Sequence, residues 1–146
     1  MFVIQNDILW QPTQTANWKN VKFFPTPNKG TRYRPDGIVI DILGGSLCAF
    51  GTAQYFQKTG TRSGHINIDT QGNVSQNIEF TLQAQNADNI VINLCNTEVT
   101  QPQVDILEHI VDILVEKYKI GRLFYRRCSP RRRPTDNPSS DINVLR

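Results

Sequence analysis

The pattern of hydrophobic and polar positions along the chain predicts several strands of one sheet. Residues 37–43 form a nearly unbroken apolar run with one charged member, Asp41, which is typical of a fully buried central strand. Residues 65–69 alternate strictly between polar and apolar, so we expect a half-buried strand whose polar side is solvated. A turn then predicts a hairpin that returns over residues 74–80. Residues 89–96 are another compact apolar run and a further strand.

Two stretches have the periodicity of helices. Residues 49–58 carry apolar side chains at loosely helical spacing and predict one short helix. A longer helix is expected after Thr100, which fits a capping box with Gln103 and precedes a broad apolar face. Gly121 is expected to end this helix, and residues 123–125 to form a last short strand. Strands and helices in this order predict a single domain of the α/β or α+β class with a sheet of about four to six strands. Of the two we favour α/β, with a central mixed sheet flanked by helices.

The beginning of the chain differs in composition from the rest. Short apolar fragments are broken by Asn, Gln, Thr and Pro, and residues 24–36 are expected to be a loop. We therefore divide the chain into an irregular N-terminal arm, residues 1–36, that packs on the body, and a main domain, residues 37–146.

Composition and charge narrow the classes of function. The chain has 146 residues and a formal net charge of +3, but six of its arginines fall between Arg122 and Arg133. Such a local density can attract an anionic ligand or a polyanion. No signal peptide and no apolar run long enough to span a bilayer are present, so we expect a cytoplasmic protein without a membrane partner.

The three cysteines, Cys48, Cys95 and Cys128, have no metal-binding spacing. We expect reduced thiols, with Cys48 and Cys95 as small core residues.

Several segments follow one another in an order found in a known family. They are residues 34–40, residues 53–56, the hairpin Ser-Gly-His-Ile-Asn-Ile-Asp-Thr-Gln-Gly-Asn-Val-Ser-Gln at 63–76, the strand at 89–96 with the long helix behind it, and residues 129–136. In this order they resemble the zinc-dependent N-acetylmuramoyl-L-alanine amidases, which include peptidoglycan recognition proteins and phage endolysin amidases. The resemblance covers roughly residues 34–142 and implies an amidase-like fold for the main domain.

The resemblance also implies where the amidase chemistry would lie, and most of those positions hold other residues. Asp41 stands where the first zinc-binding His is expected, Tyr125 occupies or adjoins the place of the second, and Asp136 matches the third ligand. Asn93 replaces the Glu that acts as general base, and an amide cannot take up a proton near neutral pH. Pro134 replaces the Lys that stabilises the oxyanion. We therefore expect no zinc, no other cofactor and no catalytic residue.

The first hypothesis is a catalytically inactive amidase fold that binds or sequesters a small anionic ligand in an arginine-rimmed cleft. Arginine pairs with phosphate and carboxylate through two parallel hydrogen bonds, so a cyclic nucleotide or a muropeptide would suit the cleft. A phage protein that captures a host signalling nucleotide is an extension of this hypothesis. The residues expected to bind the ligand are Asp41, His65, Asn67, Asn86, Asn93, Tyr125, Arg126, Arg127, Arg132, Arg133 and Asp136.

Other interpretations stay open from the sequence. One is an active peptidoglycan amidase with altered metal ligands, such as Asp41, Asp136 and either Cys128 or Tyr125, an oxygen-rich set that suits Mn²⁺, Mg²⁺ or Ca²⁺. Another is nucleic-acid binding through the arginines of residues 126–133, although few aromatic residues accompany them for base stacking. Asp41 could also simply cap its strand at the turn that follows, and a homo-oligomer is compatible with all of these.

Overall fold

The computed structural model describes residues 2–11, 21–45, 47–84, 88–96, 98–127 and 143–144, of which Arg127 and the last two are described by their backbone alone. The elements in chain order are β1 (Val3–Gln5), β2 (Ile8–Trp10), β3 (Lys22–Phe23), β4 (Lys29–Arg32), β5 (Gly37–Leu43), α1 (Ala49–Phe56), β6 (Ile66–Asp69), β7 (Val74–Gln76), β8 (Leu82–Ala84), β9 (Asn89–Cys95), α2 (Gln101–Tyr118), β10 (Arg122–Arg127) and β11 (Asn143–Val144).

The central sheet is mixed and has the strand order β11-β10-β5-β9-β6-β7-β3. Its middle is parallel, because β10, β5, β9 and β6 all run in the same direction. Strand β7 returns antiparallel to β6, and β11 lies antiparallel to β10. The predicted α/β fold with a central mixed sheet is confirmed. The sheet has seven strands in the described part of the chain, and the outermost two, β3 and β11, have two residues each.

The main core lies between this sheet and α2. Alternate residues of the parallel strands point to this side, which we call the helix-α2 face, and meet the apolar side of α2. The contributing side chains that are completely buried are Ile38, Ile40, Ile66, Ile68, Ile90, Ile92, Ile110 and Leu114. Isoleucine is well suited to these positions, because it favours the strand conformation and its side chain fills a close-packed interior.

Helix α2 begins as predicted and ends earlier than predicted. Thr100 is the N-cap and forms the capping box with Gln103. The helix ends at Tyr118, because Lys119 takes the left-handed conformation with φ 56° and ψ 47°. The expectation that Gly121 ends the helix is therefore wrong, and a lysine holds the position that glycine usually takes.

The polar side of the β6–β7 hairpin is buried, which corrects the prediction of a half-buried strand. Helix α1 packs over this side. The Ala49 N–H donates to Asp69 Oδ2 at 3.0 Å, and Ser75 Oγ donates to the Ala49 carbonyl at 2.8 Å. The polar residues of the hairpin therefore bind helix α1 and do not form a solvated surface.

Smaller corrections concern cysteine and the first third of the chain. Cys95 is buried as expected, whereas Cys48 is exposed and its thiol accepts a hydrogen bond at the N-cap of α1. The expected loop at residues 24–36 contains β4, which pairs with β8. Phe2 and Leu9 lie in the main core, and β3 pairs with β7. No helix in the described part of the chain is long and apolar enough to cross a membrane.

Candidate ligand-binding site

A row of polar side chains crosses the sheet on the side opposite α2. The strand registers place Arg126 beside Asp41, Asp41 beside Asn93, Asn93 beside Asn67, and Asn67 beside Ser75. Residues paired across neighbouring strands share one face, so these five side chains form a continuous row. We call this row the polar row.

Asp41 is completely buried and bound by two arginines. Its Oδ1 accepts a hydrogen bond from Arg126 Nε at 2.6 Å, and its Oδ2 accepts from Arg126 Nη2 and Arg62 Nη2, each at 2.8 Å. The side chains of Arg62 and Arg126 are 23% and 17% exposed. The cluster of Asp41, Arg62 and Arg126 therefore joins two guanidinium groups to one carboxylate. We call it the arginine cluster.

His65 directly precedes β6. It is fully buried, and both of its ring nitrogens form hydrogen bonds with the backbone. The Val91 N–H donates to Nδ1 at 2.9 Å, so Nε2 carries the proton and donates to the Leu82 carbonyl at 2.7 Å. Burial lowers the pKa of His65 to about 4, and the ring is therefore neutral near pH 7. The ring also stacks between Tyr33 and Phe80. His65 has no exposed surface to offer to a ligand.

Asn67 and Asn93 form the middle of the polar row. Asn93 Nδ2 donates to Asn67 Oδ1 at 2.9 Å, and Asn67 Nδ2 donates to Ser75 Oγ and to Asn77 Oδ1. Asn93 Oδ1 is buried and has no hydrogen-bond partner among the described residues. Gly64 lies directly above, where a Cβ would overlap Asn93 Nδ2. This close approach of the backbone seals the asparagines under the segment before β6.

Tyr125 does not belong to this group. It pairs in register with Ile40, which points to the helix-α2 face, and it packs against the main core there. It lines an apolar cavity of about 150 Å³ together with Leu107 and Val111. Tyr125 and Asp41 therefore lie on opposite faces of the sheet and do not share the predicted cleft. The residue in register with Asp41 is Arg126.

The remaining predicted site residues are not placed by the structure. Asn86, Arg132, Arg133 and Asp136 lie outside the described residues, and so does Cys128. Arg127 is described only as the last residue of β10. Arg126 itself lies within β10, although the sequence suggested that the arginine-rich loop starts there.

Arg62 is a site residue that the sequence reasoning missed. It stands in the glycine- and serine-rich segment before β6, far from Asp41 along the chain. A signal did exist, because a buried carboxylate requires a cationic partner. What the sequence lacks is any indication of which arginine fills that need.

The residues around Asp41 do not fit the zinc ion that the amidase resemblance implies. Both oxygens of the carboxylate are occupied by arginine donors, and the neighbouring position in register is a cation. The positive charges of Arg62 and Arg126 beside Asp41 would repel a Zn²⁺ ion there. Within the ranges that the structure describes, no three His, Cys, Asp or Glu side chains are grouped so that they could hold a metal ion.

Comparison with known proteins shows the fold. The chain is similar to the crystal structure of a selenomethionine derivative of AmpD, an N-acetylmuramoyl-L-alanine amidase, with a TM-score of 0.61 and 17% sequence identity over 94% of this chain and 93% of that chain. No protein-family model matches the sequence, and no curated protein matches it. The chain therefore has an amidase-like fold.

Proposed function

We propose that this protein is an amidase-fold binding protein that holds a small anionic ligand and does not hydrolyse peptidoglycan through zinc. The observation that carries the proposal is the arginine cluster. Asp41 stands where the amidase resemblance implies the first metal ligand, and here it is joined to Arg62 and Arg126 by three hydrogen bonds. A salt-bridged group of two arginines and one carboxylate thus takes the place of a metal centre.

The position of the cluster supports a binding role. Asp41 lies two residues before the carboxyl end of β5, in the parallel part of the sheet. In open α/β sheets, ligands bind outside the carboxyl ends of the parallel strands. The arginine cluster therefore lies where this type of fold usually presents a ligand site.

The charge of the cluster supports an anionic ligand. Asp41 is completely buried, whereas its two arginines are partly exposed, so the positive side of the cluster is the side nearer to solvent. Partial burial also strengthens the attraction to an anion, because the effective dielectric constant there is lower than in water. Guanidinium groups are well matched to phosphate and to carboxylate.

Two classes of ligand fit this chemistry. A cyclic nucleotide offers one phosphate diester and a base, and a muropeptide offers the carboxylates of its peptide. If the ligand is a signalling nucleotide, a role in capturing it would suit a phage protein that counters host signalling. Further proposed contacts of the same ligand are Asn86, Arg127, Arg132, Arg133 and Asp136.

Isothermal titration of the purified protein with cyclic nucleotides and with muropeptides tests the proposal. We expect saturable binding of one class and a loss of about tenfold or more in affinity for Arg62→Gln, since a charge-assisted hydrogen bond is worth roughly 1.5–3 kcal/mol. Arg32→Gln removes the same charge from the exposed strand β4 and is the matched control. Flat titrations with both classes would refute the proposal.

The second candidate is a peptidoglycan amidase with altered metal ligands, which the similarity to AmpD favours. Asp136 with Cys128 would have to supply the ligands, because Asp41 is already ion-paired and Tyr125 faces α2. Metal analysis combined with a turbidity assay on cell walls in the presence of Mn²⁺, Mg²⁺ or Ca²⁺ decides between the two candidates. Clearing of the walls would favour the amidase.

A further inference from the structure

A concavity lies at the amino ends of the parallel strands, the end of the sheet opposite to the arginine cluster. It occupies about 320 Å³ at the amino ends of β5 and β10 and at the carboxyl end of α2. Asp36 and Asp41 are five positions apart along extended chain, which corresponds to roughly 16 Å. We call this concavity the basic cavity, and its lining residues are Arg34, Pro35, Asp36, Lys119, Gly121 and Arg122.

The basic cavity is rich in positive charge. Three of its lining residues are cations and one is a carboxylate. Arg122 lies 3.9 Å from Asp36, while Arg34 and Lys119 have no salt bridge to any other described residue. All four charged side chains are exposed. Two positive charges therefore lack a compensating partner there and face one shared space.

The backbone of Lys119 is the second observation. Its φ of 56° lies in the left-handed region, which costs a residue with a side chain of the order of 1 kcal/mol relative to glycine. A cation suits the negative end of the helix dipole, but glycine would adopt the backbone conformation without strain. Lysine at this position adds a positively charged residue to the lining of the basic cavity, and strain of this kind is often found at functional sites.

The wall of the basic cavity is held in place before any ligand binds. The Arg122 guanidinium lies over the Phe124 ring, 5.2 Å from its centroid, and near Asp36. The Asp36 N–H donates to the Asp88 carbonyl at 3.1 Å, which fixes the segment before β5. Arg122, which is already positioned by Phe124 and Asp36, therefore loses less side-chain entropy on binding.

We propose that the basic cavity binds a small molecule that carries a diphosphate or a comparable multiply charged phosphate group. Its volume lies at the lower end of the range for small-molecule sites, which is about 300–1,000 Å³. Arg122 and Arg34 offer planar donors to phosphate oxygens, and Lys119 offers a mobile point charge. This site is separate from the arginine cluster and does not depend on the function proposed above.

Titration calorimetry with inorganic pyrophosphate tests this site. Lys119→Gly is the informative variant, because it removes the cation and relieves the left-handed strain together. We expect pyrophosphate binding to weaken about tenfold or more while the unfolding midpoint rises. Lys29→Ala, which removes an exposed lysine of β4 away from the cavity, is the control and should bind like the unaltered protein. Arg122→Gln should also weaken binding.

Four results would overturn the proposal. The first is the absence of saturable pyrophosphate binding to the unaltered protein. The second is an equal loss of binding in Lys29→Ala and Lys119→Gly, which would indicate unspecific attraction. Loss of pyrophosphate binding in Arg62→Gln but not in Lys119→Gly would place the ligand at the arginine cluster. Retention of a single-stranded oligonucleotide without any binding of pyrophosphate would assign the surface to nucleic acid.

Discussion

Two buried side chains that can carry a charge, Asp41 and His65, are stabilised in opposite ways. Asp41 is an ion-paired carboxylate, and the guanidinium groups of Arg62 and Arg126 compensate for the loss of water around it. His65 has no charged partner at its ring nitrogens, and both nitrogens bond to the backbone in the neutral form. The consequence is that the neutral state of buried His65 can be tested by lowering the pH.

We expect the free energy of unfolding to fall as the pH is lowered from about 6.5 towards 4. The unfolded chain binds a proton at His65 near the ordinary pKa of 6.5, whereas burial lowers the pKa of this group in the folded protein to about 4. The stabilisation from neutral His65 is therefore fully present above pH 6.5 and is lost as the pH falls to about 4. From these two pKa values, the loss is at most about 3 kcal/mol.

Urea unfolding of the unaltered protein and of His65→Gln at several pH values measures this contribution. Glutamine can keep a donor for the Leu82 carbonyl but does not titrate, so its free energy of unfolding should depend less on pH in this window. His109 is present in both proteins, and its contribution cancels in the difference. Equal slopes for the two proteins between pH 6.5 and 4 would contradict the neutral state of His65.

Among the elements, the short helix α1 and the segment before β6 cover the polar row. Asp69 accepts the first N–H of α1, and Asn77 Nδ2 donates to the Ala53 carbonyl. Gly64 then closes over Asn93 and Val91. The alternating pattern of residues 65–69 predicts a strand correctly but cannot tell whether its polar side meets water or a polar cover, because both surroundings accept polar side chains.

Gly64→Ala should destabilise the protein by about 1–3 kcal/mol, in the range for overpacking of a filled interior. The added Cβ would overlap Asn93 Nδ2 and lie 3.2 Å from Val91 Cγ1. Asn93 cannot move aside without breaking its bond to Asn67. Gly44→Ala is the control, since a Cβ there meets nothing within 4 Å. Similar unfolding midpoints for both variants would show that the cover above Asn93 is loose.

For the whole molecule, the order of the main strands and helices after residue 36 is predictable from the sequence, whereas strands β1–β4 and the side-chain facing of β10 are not. The buried strand with Asp41, the hairpin and the capped helix each carry a local pattern, and the amidase resemblance supplied their arrangement. Tyr125 and Arg126 are neighbours in the sequence, and a shift of one residue exchanges the two faces of a strand. Only the pairing of β10 with β5 decides that Arg126 accompanies Asp41. Local patterns cannot reveal that register.

The register can be tested by rebuilding a pair of metal ligands on the two strands. In Asp41→His combined with Arg126→His, the two imidazoles would stand side by side on one face, because neighbouring strands lie about 4.8 Å apart. In Asp41→His combined with Tyr125→His, they would stand on opposite faces, since Tyr125 pairs with Ile40. Only the first arrangement lets two ring nitrogens reach one Zn²⁺ ion at roughly 2.0–2.1 Å.

We therefore expect zinc to raise the unfolding midpoint of the Asp41→His, Arg126→His protein and not that of the Asp41→His, Tyr125→His protein. An ion that binds the folded state alone stabilises it by about 2.7 kcal/mol at a concentration one hundred times its dissociation constant. Thermal unfolding with and without zinc chloride measures the shift, and the unaltered protein, with Asp41 bound by its arginines, should not respond. A response of equal size in both double variants would mean that Asp41 and Arg126 do not share a face. The proposal that the arginine cluster takes the place of a metal centre would then lose its geometric basis.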